Sequence, residues 1–167
     1  MSLESWVLGK VFVSIGSNID REKNIRAGID ALKKTFGELT LSPVYETEAV
    51  GFDGEPFYNL VASFETDLDP YQVNDTLHKI EEDNGRDRSD PKFSSRTLDI
   101  DLLLYDNLII NDDKLQIPRD EIEKYAFVLK PLVDMVPEAK HPVTKIIYKT
   151  IWDNSETQKD LLKEVSL

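Results

Sequence analysis

The sequence has no cysteine and only two histidines, His78 and His141, in 167 residues. The first absence excludes disulfide frameworks, zinc–thiolate sites and thiol nucleophiles. The second excludes the paired-histidine helix of zinc proteases. No apolar run approaches the ~20 residues a membrane span needs. The opening MSLESWVLGK has no basic stretch followed by an apolar one, so no signal peptide is expected and a cytoplasmic location is the default. Positive charge is scarce: 20 Lys+Arg stand against 32 Asp+Glu, a formal net charge of −12. Binding to nucleic acid or anionic membrane rests on basic residues that neutralise phosphates, so neither is expected as a partner. A phosphate-bearing small ligand would need local cations, or a metal ion bridging it to carboxylates. No P-loop, kinase glycine loop or G-x-G-x-x-G run is present. Repeats, low-complexity tracts and linkers are also missing. The eight prolines are spread from Pro43 to Pro142, so residues 1–167 read as a single domain.

What is present is a clear periodicity. Residues 10–16 alternate, with Val11, Val13 and Ile15 on one face, and predict a strand. Residues 20–36 predict a helix through Ile25, Ile29, Leu32 and Phe36, with Gly37 as terminator. Residues 38–48 and 57–66 read as strands on either side of the loop Gly51–Gly54. Asp69-Pro70 caps a helix over 70–83, with Val73, Leu77 and Ile80 on one face and Asn84-Gly85 at its end. Residues 98–105 are strongly β, Asp106-Asn107 turns the chain, and a short strand follows at 108–110. Residues 120–135 and 144–165 carry helical stretches, and Leu161, Leu162 and Val165 suit a short final helix. The order β-α-β-β-α-β predicts an α+β fold of ferredoxin-like type, an antiparallel sheet with two helices on one face. Such a fold hosts many functions and decides none.

The chemistry-bearing segment is Arg96-Thr-Leu-Asp-Ile-Asp101. On a strand, Asp99 and Asp101 project to the same side, while Leu98, Ile100 and Leu102 point to the other. Adjacent carboxylates repel, and a hard cation such as Mg²⁺ relieves that repulsion. The spacing itself is common; Asp67 and Asp69 share it in what reads as a solvated turn. The neighbourhood distinguishes the second pair. Three of the six arginines, Arg86, Arg88 and Arg96, fall within eleven residues and are joined by Lys92. That stretch fits a solvated loop in which Arg88 pairs with Asp87 and Asp90, and it equally fits a cationic loop reaching over a polyphosphate. A carboxylate pair beside an arginine loop suggests metal-assisted phosphoryl transfer. Phe57 and Phe127 suit ordinary core packing, whereas the amide of Asn59 can offer both donor and acceptor to a heterocycle edge. His78 reads as a partly exposed structural residue.

These residues, with Ser14-Ile-Gly-Ser-Asn18, Tyr45-Glu-Thr47, Val50-Gly51, Pro56-Phe-Tyr-Asn59, Gly85-Arg-Asp-Arg88 and Phe127-Val-Leu-Lys-Pro-Leu132, resemble the 6-hydroxymethyl-7,8-dihydropterin pyrophosphokinase family of folate biosynthesis. The likeness runs over roughly residues 10 to 152. It implies transfer of the β,γ-diphosphate of ATP to the pterin hydroxymethyl oxygen, with release of AMP, in a monomer whose partners are these two small molecules. It implies two Mg²⁺ ions on Asp99 and Asp101, and Arg86 and Arg96 as catalytic cations. It implies a pterin site of Phe57, Phe127, Asn59, Thr47, Val50 and Gly51, and ATP contacts from Glu81, Arg88, Arg96, Lys114 and Arg119. Where the family usually has His, then Tyr or Pro, and a nearby Arg after Ile117-Pro118, this chain has Arg119, Asp120 and Tyr125. Those departures also fit a weakened relative that binds pterin or nucleotide, and a non-enzymatic ferredoxin-like interaction module is the remaining alternative.

Overall fold

A computed structural model describes residues 8–47, 55–85, 98–155 and 162–167. The first sheet contains β1 (Gly9–Ser17), β2 (Thr40–Leu41), β3 (Val44–Thr47), β4 (Phe57–Thr66), β5 (Asp99–Tyr105) and β8 (Lys163–Val165). Its order is β5-β1-β4-β3-β8, with β2 also paired to β4 and every pairing antiparallel. A small hairpin joins β6 (Ile110–Asn111) to β7 (Gln116–Ile117). The helices are α1 (Arg21–Phe36), α2 (Pro70–Asp83), α3 (Glu121–Lys124), α4 (Ala126–Met135) and α5 (Tyr148–Asp153). The central four strands and the first two helices reproduce the expected β-α-β-β-α-β order.

Alternation along the strands splits the core in two. Val11, Val13 and Ile15 of β1, Leu60, Ala62 and Phe64 of β4, and Ile100 and Leu102 of β5 pack with α1 and α2. Phe12, Val61, Leu103 and Leu104 pack on the opposite face with α4 and Tyr148 of α5. The second layer of helices goes beyond the one-sided arrangement expected from periodicity. A bulge in β5 adds to the surface it covers: Val13 pairs with Leu102 and Phe12 with Leu104, so Leu103 is the extra residue. Leu103 and Leu104 therefore both bury against α4. In α1, Gly28 permits close packing, because a Cβ there would lie 3.0 Å from Leu98 Cδ1.

Helix α2 starts where Asp69-Pro70 indicated. Asp69 accepts from Gln72 N, and Gln72 returns the bond to Asp69 N, a complete capping box. Two expectations are corrected. The strand expected over 38–48 is broken at Ser42-Pro43 into β2 and β3, and Ser42 Oγ accepts the Val61 N–H at 2.9 Å in place of a regular ladder bond. The final helix expected from Leu161, Leu162 and Val165 is instead β8, whose Val165 lies opposite Val44; Leu161 is outside the described residues. Alternating burial of short segments reads equally as helix or strand, and only the free edge of β3 settles it.

His141 is buried, and its Nδ1 accepts from Val143 N at 3.1 Å and Thr144 N at 3.3 Å. Burial lowers its pKa, against the raising effect of Glu123. The folded chain thus keeps the ring neutral, while the unfolded chain protonates near the ordinary 6.5. Its contribution is full above that pH and is lost as pH falls towards the lowered folded value. Denaturant midpoints should therefore drop from pH 7.5 to 5.5, and His141→Asn should show a shallower drop. Equal slopes for the two proteins would refute this assignment.

Candidate active site

The site is set by the alternation of β5. Leu98, Ile100 and Leu102 are almost fully buried, and each contributes about 1.5–3 kcal/mol by leaving water. Asp99 and Asp101 are consequently held together on the other face, half-buried. Two charges roughly 5 Å apart repel by about 3 kcal/mol at an effective dielectric near 20. The apolar anchoring outweighs that cost, so the pair is stable without being comfortable.

Glu81, in the last turn of α2, completes a triad. One carboxylate oxygen from each of Glu81, Asp99 and Asp101 lies within 4.8 Å of the others. Glu81 is buried and accepts the Ile100 N–H at 2.8 Å. Its pKa is pushed up to about 8, first by burial, then by a hydrogen bond to Asp99 and the charges of Asp99 and Asp101, against the lowering effect of the Ile100 N–H. Burial and the two neighbouring carboxylates thus favour the protonated form of Glu81, the response of crowded acids to charge repulsion that a cation would relieve. An all-carboxylate set suits Mg²⁺, a hard ion that favours oxygen ligands.

Register extends the site across the sheet. Asp99 lies opposite Gly16, Gly16 opposite Asn59, and Asn59 opposite Tyr45. Opposed residues share a face, so the paired aspartates and Asn59 look out on the same side, with β1 between them. Two strand spacings separate β5 from β4, about 10 Å. Gly16 is required here: a Cβ would stand 2.6 Å from Asn59 Oδ1. Asn59 is buried, and its Nδ2 has no hydrogen-bond partner among the described residues. A buried amide left open costs about 1–3 kcal/mol, which a ligand with complementary polar edges recovers. Phe57 and Thr47 flank it as a cross-strand pair at the end of β3 and β4. Arg21 fixes this corner by donating to Pro56 O at 2.9 Å, pairing with Glu46 at 3.2 Å and lying 4.0 Å from the centre of the Tyr58 ring.

Helix α4 borders the same face. Phe127, near its start, stacks on Tyr125 with ring centroids 5.0 Å apart and planes 15° from parallel. Tyr125, noted in the sequence as a lost positive charge, thus supports an aromatic platform. Tyr45 donates to Asp134, seven residues along α4 from Phe127, and so joins that helix to β3. On the other flank, Arg119 follows β7. Its N–H bonds Leu103 O at 3.1 Å, its guanidinium pairs with Glu121, and its Nε is buried with no hydrogen-bond partner among the described residues. Burial opposes its charge, but Asp101, Glu121 and Asp99 together outweigh burial and raise its pKa. A cleft of about 760 Å³ opens between α2 and the β6–β7 hairpin, lined by His78, Tyr71, Asn74, Asp75, Asp112, Asp113 and Lys114. His78, on the wall of this cleft, stands one helical turn before Glu81.

Of the residues singled out from sequence, the fold assembles Glu81, Asp99, Asp101 and Arg119 in one cluster. It sets Thr47, Phe57 and Asn59 along the neighbouring strands and puts Phe127 on the helix that packs over that face. Lys114 lines the adjoining cleft. Arg86, Arg88, Arg96, Val50 and Gly51 lie outside the described residues, as do Lys92 and Gly54. Two contributions were not read from the sequence: that of Gly16, and that of Tyr125 as a ring instead of a lost charge. Gly16 sits inside a strand, where glycine often marks close approach of another group. Tyr125 has no signal beyond being aromatic and two residues from Phe127.

Comparison with known proteins shows the family and the fold. The family model described as 7,8-dihydro-6-hydroxymethylpterin-pyrophosphokinase matches residues 12–137. The 2-amino-4-hydroxy-6-hydroxymethyldihydropteridine pyrophosphokinase of Pseudomonas aeruginosa is 34% identical over 140 residues, covering 81% of this chain and 86% of that one. The protein of the same name from Haemophilus influenzae is 32% identical over 144 residues, covering 84% and 89%. Among solved structures, the Plasmodium falciparum HPPK-DHPS triple mutant with SDX-DHP superposes with a TM-score of 0.78 at 16% identity, over 96% of this chain. The chain spans about half the length of that protein, at 48%, and the likeness shows the fold. With most of its length matched and its α+β architecture shared, the chain belongs to the 7,8-dihydro-6-hydroxymethylpterin-pyrophosphokinase family, ATP-dependent enzymes of folate biosynthesis.

Proposed function

We propose that the face shared by β5, β1 and β4 is where this chain transfers diphosphate from ATP to 6-hydroxymethyl-7,8-dihydropterin. The observation that carries this reading is the row Asp99–Gly16–Asn59, which puts a cation cage and an open amide about 10 Å apart on one face. A two-ring heterocycle with a one-carbon arm, bound at Asn59, reaches toward the carboxylates. Phe57 and Phe127 hold the ring by its faces, and Asn59 and Thr47 read its polar edge, with Val50 and Gly51 completing that edge. ATP lies over the carboxylates and the adjoining cleft. Lys114 and the open Nε of Arg119 support its binding there, along with Arg88 and Glu81. Arg86 and Arg96 stabilise charge on the phosphates during transfer.

Asp99 and Asp101, with Glu81 beside them, would hold two Mg²⁺ ions, which would supply charge that offsets the triphosphate. The hydroxymethyl oxygen attacks the β-phosphorus and gives up its proton to water, a bond forms between oxygen and phosphorus, and the bond from that phosphorus to the α,β-bridging oxygen breaks, releasing AMP. The protein's share is alignment and exclusion of water, which in well-oriented reactions supply about 7–11 kcal/mol of barrier lowering. β8 joins the same sheet as β1, which supports a single domain of residues 1–167, proposed to act as a monomer. The need for ATP supports a cytoplasmic location.

Mixing the protein with MgATP and the hydroxymethyl-dihydropterin should give AMP and pterin diphosphate in equal amounts. ADP as the nucleotide product, or no pterin-dependent AMP from folded protein, overturns the reading.

Two substitutions test its parts. Asp99→Asn or Asp101→Asn should lower turnover at least about 10³-fold, while the thermal midpoint stays level or rises because repulsion is relieved. Turnover within about tenfold of the unmodified enzyme removes the metal assignment. Gly16→Ala should drive Asn59 from its place and weaken pterin binding by about tenfold or more, the 1.4 kcal/mol scale of a lost hydrogen bond. Binding of an ATP analogue should be unaffected; equal weakening of both ligands would contradict the division of the site.

A further inference from the structure

Strand β8 lies beyond residues 12–137, the part of the chain that matches the family. It nevertheless forms the outer edge of the active-site sheet. Val165 pairs with Val44, Glu164 with Tyr45 and Lys163 with Glu46. Without β8, β3 would be a four-residue edge strand, paired with β4 only from Tyr45 to Thr47. A strand that short, with one side of its ladder open, has little to hold it in register.

Each β8 residue reaches a different support of the pterin corner. Val165 and Leu167 pack on the core beside Val44. Lys163 stands opposite Glu46, whose carboxylate holds Arg21, and Arg21 in turn grips Pro56 O just before Phe57. Glu164 stands opposite Tyr45, the residue that ties β3 to Asp134 of α4. The far ends of these links are Thr47 and Phe57, and Tyr45 itself is the cross-strand neighbour of Asn59. The carboxylates on β5 lie at the opposite edge of the sheet, separated from β8 by β1, β4 and β3.

We infer that β8 is a positioning element for the pterin half of the site, locking β3 so that Thr47, Asn59 and Phe57 hold the heterocycle, while leaving the ATP half untouched. The inference rests on the pterin site proposed above. Its distinguishing mark is asymmetry: loosening β8 weakens one substrate and not the other, which general destabilisation does not do.

The test uses the full chain, a chain ended after Ser155, and two point variants, Lys163→Glu and Lys163→Arg. Dissociation constants are measured separately for the hydroxymethyl-dihydropterin and for a non-hydrolysable ATP analogue with Mg²⁺, with circular dichroism as the check on folding. The shortened chain should bind pterin about tenfold more weakly, the size of one residue's backbone ordering, and the ATP analogue within about twofold of the full chain. Lys163→Glu sets like charges opposite each other on the strand pair and should cost pterin about threefold, whereas Lys163→Arg should bind normally. Should the shortened chain fail to fold, Lys163→Glu decides alone. Unchanged pterin affinity in the folded variants, or parallel losses of pterin and ATP analogue, overturns the inference. Failure of the unmodified protein to bind pterin overturns instead the site on which it rests.

Discussion

Everything at the site follows from the burial of alternate residues in β5. With Leu98, Ile100 and Leu102 in the core, Asp99 and Asp101 have only one face on which to stand. Flipping the strand to separate them from Glu81 would expose three aliphatic side chains, at a cost above the repulsion it relieved. The carboxylate cage is therefore imposed by packing on the far side of the sheet, and its electrostatic discomfort is what prepares it for a cation. The same alternation in β1 and β4 puts Gly16 and Asn59 on that face, so the carboxylates and Asn59 share one rigid scaffold. Sites built on strands hold their spacing better than sites built on loops.

The charge of the chain is consistent with this division. A net −12 leaves few cations to meet a triphosphate, and those available are concentrated. Arg119 is held in place by Glu121 and by the Leu103 carbonyl, close enough to Asp101 and Asp99 to be influenced by both. A guanidinium braced in this way loses less freedom on meeting a phosphate than a free surface side chain would. The position held by His in the family thus keeps a donor in this chain, and Tyr125 serves a neighbouring aromatic in place of a charge.

The legible parts of the sequence were those dictated by local rules. The Asp69-Pro70 start of α2, the Gly37 stop of α1 and the alternation of β1, β4 and β5 need no tertiary knowledge, and they sufficed to give the sheet order's central four strands. Asp99 and Asp101 were legible for the same reason, as period-two neighbours of buried aliphatics. What was not legible depended on partners distant in the chain. Glu81 was named only through the family resemblance, as an ATP contact; its place beside Asp99 and Asp101 shows only once Ile100 donates to it. The break between β2 and β3 depends on Ser42 replacing a ladder acceptor for Val61. β8 follows a polar stretch, and its three residues become a strand because β3 offers an open edge. Tyr125 was read as a missing charge because sequence spacing does not show that its ring lies against Phe127.

The central claim is that Glu81, Asp99 and Asp101 form the cation cage on which ATP is seated. Electron paramagnetic resonance of Mn²⁺, titrated with a non-hydrolysable ATP analogue, reads it directly. Two bound ions per chain are expected in the unmodified protein, with loss of bound Mn²⁺ in Asp99→Asn and Asp101→Asn. Equal Mn²⁺ binding by the unmodified protein and both variants would contradict it.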